Sequence, residues 1–483
     1  MNQTWSVIPK PKGASEISAK WVFKITRNPD NSVDKYKARL VARGFIQREG
    51  RDFKEVFAPV VRMDSIRLLF SICVQYDLDY IQFDIATAFL NGTIEEVLYL
   101  KPPEGVTVPE GCTLKLNKSL YGLRQAPRAW NTTFTSMLKE FNLKPTDSDA
   151  CVSVGDNYTY LAIYVDDGVI FGKDKESINR VLDYMRQHFN VKIISNSCFI
   201  GVEVKRYPNA IMLHQGAYIK RMLTRYGMEN CKGAKSPLEA GHMLNYPELM
   251  EKAVLDDIPY AAAVGSLLYC ALATRPDITH SLSLLSKYTK APREAHWKAI
   301  KRVFRYLQAT SNYGLLYRKI DSNLTLDCYT YADWGGDQSS RRSMSGMVLF
   351  LGTAPVSYHS QQQLCVALST TEAEYIAASD SVKSLIWVKR FLKELGITEV
   401  KQARILCDNQ GALKLIRNPE FHRRTKHIDI RFHFIRDQFL RKVFEPEYIC
   451  TEEQKADLFT KALTVEKFCH FRKQIGCIQM PEN

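Results

Sequence analysis

Two adjacent carboxylates, Asp166 and Asp167, stand before Gly168 within the apolar stretch from Thr159 to Phe171. Neighbouring carboxylates repel, and each raises the other's pKa unless a cation lies between them. A divalent metal ion removes that conflict and brings chemistry of its own, acidifying a hydroxyl and stabilising a departing phosphate oxygen. A solvated turn is the other reading of Asp-Asp-Gly, so the pattern needs a third carboxylate and a substrate groove before it means more. Asp84, at the end of the stretch from Tyr80 to Ile85, supplies a candidate third carboxylate.

The elements that must position these groups can be read from periodicity. Leu161, Ile163 and Val165 alternate with Ala162, Tyr164 and Asp166, the period of a strand with two distinct faces. Asp-Gly between apolar runs predicts a β-hairpin, because Gly tolerates positive φ, and places both carboxylates at its tip. The run from Tyr80 predicts a strand ending near Asp84, followed by an Asn91-Gly92 turn. Ile178, Val181, Leu182 and Met185 have helical spacing, as do Trp297, Ile300, Phe304 and Leu307. Ser369-x-x-Glu372 predicts a capped helix start, with Gly396 as its stop. Ile405 to Asp408 predicts a strand, and Asn409-Gln410-Gly411 a turn into another helix.

The chain's 483 residues suffice for two or three domains with substantial cores. Its net charge of +14, from 66 basic and 52 acidic side chains, admits an anionic partner. The excess is uneven, with 13 Lys and Arg against 6 Asp and Glu before residue 63. Plain solubility is the alternative reading of such surface, but here it flanks the candidate site. The 12 cysteines show neither Cys-x-x-Cys nor a Cys/His cluster at zinc spacing, which argues for a reduced compartment and against a zinc module. The apolar run from Tyr260 to Ala273 is too short to span a bilayer and predicts a buried helix, so no membrane partner is expected.

Leu120-Tyr121-Gly122-Leu123-Arg124-Gln125-Ala126-Pro127-Arg128-Ala129-Trp130 adds a longer signature. With Tyr36 to Phe45, Phe57 to Val60, Thr274-Arg275-Pro276-Asp277 and Leu458 to Lys461, the chain resembles the polymerase of copia-type LTR retrotransposons. The resemblance runs through nearly the whole chain, in family order. It implies an α+β right-hand polymerase of fingers, palm and thumb, then a connection and an α/β ribonuclease H-like domain. The expected limits are 1–245 for the polymerase, 246–322 for the connection, 323–470 for the ribonuclease H-like domain and 471–483 for a tail. Within the polymerase, Cys198 to Val204 is expected to be a primer-grip strand, with Ser195-Asn196-Ser197 one residue short of the family's turn.

The resemblance implies RNA-directed DNA synthesis, with an RNA template, a DNA primer, RNA–DNA hybrid and deoxynucleoside triphosphates as partners. Asp84, Asp166 and Asp167 become ligands of Mg2+, two ions per active site, with Mn2+ as the alternative ion. Asp84 and Asp166 are the main ligands, Asp167 contributes less directly, and the Ile85 carbonyl completes one site. Phe89 takes the place of an aromatic that excludes a ribose 2′-hydroxyl, against the plain reading of a core phenylalanine. Gly122 allows close backbone approach, and Arg124 is either a nucleic-acid contact or a surface charge. Lys37 and Arg39 are both candidates for the triphosphate.

In the ribonuclease H-like domain, Glu374, Asp408 and Asp457 align with three of four expected metal-binding carboxylates. Tyr331 takes the place of the fourth in Tyr329-Thr330-Tyr331-Ala332-Asp333-Trp334, and Asp333 is the alternative ligand. A phenol with an ordinary pKa of about 10 is a poor replacement, so hybrid cleavage is expected to be weak or absent. The basic stretch from His422 to His433, with Thr425-Lys426-His427-Ile428-Asp429, reads as a hybrid-binding or solvated helix. An intracellular, cytoplasmic location inside a virus-like particle follows from the same resemblance. Two rival readings stay open, a decayed or repurposed nucleic-acid binder and an unrelated metal-dependent hydrolase.

Overall fold

The structure is a computed structural model that describes residues 3–27, 32–194, 198–241, 258–321, 324–400, 402–418 and 429–481. The Ser195-Asn196-Ser197 turn and the basic stretch up to Ile428 lie outside those residues. The chain divides into two compact units, one of Met1–Val61 with Asp79–Ser195, the other of Arg62–Leu78 with Asn196–Asn483.

The first unit is built on a six-stranded antiparallel sheet. Its order is Val191–Ile194, Asp79–Ile85, Asp167–Gly172, Tyr160–Tyr164, Val152–Val154 and Lys144–Pro145. The central strands bury an apolar core of Phe83, Ile85, Leu161, Val169, Ile170 and Phe171. Two amphipathic helices flank this sheet. Ala126–Glu140 buries Trp130, Phe134, Met137 and Leu138, spaced four, seven and eight residues from the first. Lys175–His188 buries Ile178, Val181, Leu182 and Met185, and its start is fixed by Asp174, which accepts from Ser177 N at 2.7 Å. Phe189 joins the helices through ring contacts with Trp130 and Phe134. A four-stranded sheet and the two-stranded hairpin of Ala19–Arg27 with Val33–Ala42 complete the unit.

The second unit carries two five-stranded sheets. One runs Ala354–Gln362, Met344–Leu351, Thr325–Asp333, Gln402–Cys407 and Glu445–Tyr448, antiparallel across the first three and parallel thereafter. That order is the ribonuclease H-like topology expected. The helix Thr370–Glu394 packs on it; Ser369 caps its start by accepting from Glu372 N at 3.2 Å. Ala332, Ala367, Ala373, Ile376 and Ala377 form a small-residue contact that brings this helix close to the Thr325–Asp333 strand.

Three expectations need correction. Cys198 to Val204 is no single strand: Ile200 and Gly201 both take positive φ, and Phe199 pairs with Val202 across a two-residue turn. The Ile200 carbonyl accepts a hydrogen bond from the Tyr269 hydroxyl, which helps hold that turn. Residues after 470 are no loose tail. The helix Val465–Gln474 runs past that limit, and Cys477–Gln479 pairs with Tyr313–Arg318 in the other five-stranded sheet. The helix Met63–Gln75 belongs to the second unit although its sequence lies within the first, because it packs on Ala354–Gln362 and Tyr313–Arg318.

Inside the second unit a buried ion pair ties helices to sheet. Arg275 donates from Nε and Nη2 to both Asp277 oxygens, at 3.0 and 2.8 Å, and from Nη1 to Thr310 O at 2.9 Å. Tyr306 donates to the same carboxylate. Removing one member of such a pair leaves an uncompensated buried charge, a loss of about 3–5 kcal/mol. The helix Tyr260–Ala273 is buried on one side as expected, and among the described residues no helix is long and apolar enough to cross a membrane.

His280 on the helix Thr279–Ser286 is buried, and burial, aided by the like charge of Lys287, depresses its pKa to about 4. An unfolded His titrates near 6.5, so between these values the unfolded chain binds the extra proton. The second unit should therefore lose stability as pH falls from about 6.5 to 4, with a contribution from His280 of about 3 kcal/mol. Urea midpoints across that range should fall less steeply in His280→Gln. Identical slopes would show that this histidine does not stay neutral in the fold.

Candidate active site

The strand register brings the three carboxylates of the first unit together. Asp84, near the end of Asp79–Ile85, lies opposite Asp167 in the pairing with Asp167–Gly172. Ile85 N donates to Asp166 O at 2.8 Å, so Asp166 is fixed beside the same strand end. The hairpin exists, but its turn differs from the expected one. Tyr164 pairs with Asp167, which leaves Val165 and Asp166 as the turn residues and Gly168 inside the strand. Positive φ falls on Val165, at 58°, a conformation that is costly for a β-branched residue. Trp130 Nε1 donates to Val165 O at 2.8 Å and clamps this peptide in place.

Gly168 is required for another reason. A Cβ at Gly168 would stand 2.1 Å from the ring of Phe83, its cross-strand partner, which lies across the glycine. The carboxylates are therefore carried by a sheet with no slack at this point.

Their electrostatics match the arrangement. Burial, then the charges of Asp84 and Asp167, push the Asp166 carboxyl up to about 6. Burial and Asp84 also raise Asp167. Among the described residues no ion pair reaches any of the three. The Tyr121 hydroxyl donates to Asp166 Oδ2 at 3.4 Å, while Asp166 Oδ1 is buried with no hydrogen-bond partner. Clustered carboxylates with an orphaned buried oxygen are a donor set suited to a hard divalent cation.

A cavity of about 540 Å³ adjoins this cluster, lined by Arg39, Thr87, Leu90, Leu120 and Tyr121 among others. Arg39 is brought to the site: its guanidinium lies 5.6 Å from the Tyr121 ring centroid, and its charge acts on Asp166. Lys37 lies two residues before it on the same strand, outside that lining. Phe89 is half-buried and meets Tyr121 edge-on, with ring centroids 4.9 Å apart. Gly122 takes φ 92°, and a Cβ there would stand 2.1 Å from Ala42 O. Arg124 is held internally, donating from Nε to Gly44 O at 3.0 Å with its guanidinium over the Phe53 ring.

The second unit holds another carboxylate group at the end of its Thr325–Asp333 sheet. Glu374 Oε1 accepts from Ala332 N at 3.0 Å, and Asp408 Oδ2 accepts from Thr451 Oγ1 at 2.9 Å. Oxygens of Glu374 and Asp408 lie within 4.8 Å of each other and of Cys407 Sγ. Asp457 is buried beside them and ion-paired to Lys461 at 2.7 Å. Tyr331 and Asp333 share one face of their strand, with buried Ala332 on the other. Burial raises the Asp333 carboxyl, and Asp457 adds to the shift.

A family described as reverse transcriptase (RNA-dependent DNA polymerase) matches residues 2–240. The chain is 40% identical to the retrovirus-related Pol polyprotein from transposon TNT 1-94 of Nicotiana tabacum, over 98% of this chain and 36% of that protein. It is 32% identical to a putative transposon Ty5-1 protein of Saccharomyces cerevisiae, over 62% of this chain and 100% of that protein. The chain belongs to the copia-type reverse transcriptase family. It spans about a third of the length of the curated Pol polyproteins it matches. Its fold is similar to that of a foamy viral protease-reverse transcriptase dRH solved in complex with double-stranded DNA. That likeness has a TM-score of 0.50 and 11% identity, and covers 92% of this chain and 67% of that one.

Membership of the reverse transcriptase family implies dependence on a divalent metal. Three features of the two carboxylate sites escaped the sequence. Tyr121 was visible within a signature but carried no assigned contact, and the strained Val165 and its Trp130 clamp have no local signal at all. Lys461 was part of a matching motif, yet its pairing with Asp457 depends on how the chain folds.

Gly168→Ala should cost about 1–3 kcal/mol through overpacking against Phe83 and lower activity with it. Phe83→Leu in the same chain should recover part of both. Failure of the second change to restore either, measured by thermal unfolding and primer extension, would remove the packing argument.

Proposed function

We propose that this chain is the RNA-directed DNA polymerase portion of a copia-type polyprotein, extending a DNA primer on an RNA template. The observation that carries the reading is the convergence of Asp84, Asp166 and Asp167, with one buried Asp166 oxygen unpartnered, beside a cavity bearing Arg39. Asp84 and Asp166 are the main metal ligands, Asp167 contributes less directly, and the Ile85 carbonyl lies close enough in sequence to add a further oxygen. Two Mg2+ ions, with Mn2+ as the alternative, would acidify the primer hydroxyl and offset charge on departing pyrophosphate.

The remaining residues bind and orient. Arg39 offers its guanidinium to the triphosphate at the cavity wall, which favours it over Lys37 for that role. Tyr121 braces Asp166 from one side and Phe89 from the other. Phe89 is thereby held near the carboxylates, where a ring edge would exclude a ribose 2′-hydroxyl. Gly122 lets its loop close against the Ala42 backbone, where a Cβ would collide, and Arg124 supports that loop through Gly44. Contacts to template and primer phosphates would make affinity fall with salt. An intracellular setting is part of the same reading.

Asp166→Asn should lower magnesium-dependent extension of a DNA primer on RNA by roughly 10²–10³-fold while template-primer binding persists. Equal extension by this variant would sink the assignment. Phe89→Val should raise incorporation of ribonucleotides relative to deoxynucleotides, by roughly 10- to 200-fold. An unchanged ratio at normal overall activity would return Phe89 to the core.

A further inference from the structure

We propose that the carboxylate site of the second unit takes one of its cations from within the chain, the Lys461 ammonium. It is therefore not built to hold the pair of divalent ions that hybrid hydrolysis would use. Asp457 is the most deeply placed carboxylate there, with a side chain 0% exposed, and Lys461 Nζ lies 2.7 Å from its Oδ1. The same ammonium donates to the Tyr331 hydroxyl at 3.1 Å. One cation is thus already seated between the end of the Thr325–Asp333 strand and Asp457, and it is part of the chain.

The other donors are largely engaged, although Asp457 Oδ2 is buried with no hydrogen-bond partner. Glu374 uses Oε1 to accept from Ala332 N, and Cys407 Sγ donates toward Oε2 at 3.8 Å. Asp408 Oδ2 is engaged by Thr451. Tyr331 brings a neutral phenol where a second ion would need a charged oxygen, and Cys407 brings a soft sulfur that does not suit magnesium. Asp333 lies two strand residues beyond Tyr331, roughly 6–7 Å along the backbone. A seat for a single ion remains between Glu374 and Asp408, whose oxygens lie within 4.8 Å of each other. The expected two-ion set does not fit.

The pairing also has a consistent energetic logic. A buried Asp457 without a counter-charge would be strongly destabilising, and Lys461 supplies that charge in the absence of any metal. Its side chain is 35% exposed, so the stem reaches in from solvent without being desolvated along its whole length.

The test uses the full chain carrying Asp84→Asn and Asp166→Asn, which silences metal binding in the first unit. Bound Mn2+ is counted by electron paramagnetic resonance, and cleavage of an RNA–DNA hybrid is assayed alongside. With Tyr331 and Lys461 in place, no more than one Mn2+ should bind, and the hybrid should stay intact. Lys461→Arg, which keeps the cation, should leave that count unchanged. Adding Tyr331→Asp with Lys461→Ala should admit a second Mn2+, which Asp457→Asn should abolish. Two ions bound by the Lys461-bearing chain, both lost on Glu374→Gln, would overturn the proposal, as would hybrid cleavage by that chain. A folded double variant that gains no ion would overturn the role given to Lys461 and Tyr331. If the double variant does not fold, the ion count of the Lys461-bearing chain still decides. Primer extension by the unaltered chain is independent of every arm.

Discussion

Three carboxylates forced together against their own repulsion are the constraint that organises the first unit. Two unit charges 4 Å apart repel by about 4 kcal/mol at an effective dielectric constant near 20, and here a third is added. Nothing in the local sequence favours that arrangement, so the sheet must impose it. A one-residue slip between Asp79–Ile85 and Asp167–Gly172 would turn Asp167 to the opposite face and separate it from Asp84. The ring of Phe83 lying across Gly168 opposes such a slip, since any other residue at that crossing would meet the ring. The core on both sides, with Ile85, Val169 and Phe171 buried, resists the strand's withdrawal. Repulsion is stored at the sheet's end because burial elsewhere outweighs it.

The second unit meets the same problem with the opposite solution. Glu374, Asp408 and Asp457 are also gathered at a sheet end, but an ammonium from Lys461 is drawn in with them. Arg275 and Asp277 show the pattern again at greater depth, a guanidinium and carboxylate paired through two hydrogen bonds. Where charge is balanced within the chain, as in the Arg275–Asp277 pair, the group serves packing and needs no ligand. Where it is not, as around Asp166 Oδ1, the folded state carries an electrostatic deficit that only something from outside can remove. Asp457 Oδ2 is likewise buried and unpartnered, so what separates the two clusters is the Lys461 ammonium, which the first has no equivalent of among the described residues.

Local pattern made most helices legible, and the family resemblance supplied the order of the acidic residues. The capped start at Ser369, the apolar face of Lys175–His188 and the strand ending near Asp84 all follow from spacing within a dozen residues. What could not be read depends on distant partners. Met63–Gln75 looks like any amphipathic helix, and its place in the second unit is decided by strands near residues 313 and 354. The strand Cys477–Gln479 is three residues long, too short to carry a period, and exists because Tyr313–Arg318 offers it an edge. The hairpin tip misled in a more instructive way. Asp167-Gly168 is a good turn sequence, but the glycine was needed for the ring of Phe83, and the turn moved to Val165 and Asp166.

That displacement has a structural consequence for Asp166. A left-handed Val165 costs of order 1–3 kcal/mol, a strain that persists only where the surroundings over-determine it. The hydrogen bond from Trp130 to Val165 O and the bond from Ile85 N to Asp166 O grip the two peptides on either side. Glycine at this position would relieve the strain but widen the range of conformations open to Asp166. A β-branched residue, once forced into place, has few alternatives. The strained valine therefore narrows where the carboxylate can point, and rigid placement is what a site built from mutually repelling groups most lacks. Trp130 itself is held by Phe134 and Phe189, so the position of Asp166 rests finally on an aromatic cluster drawn from other parts of the chain.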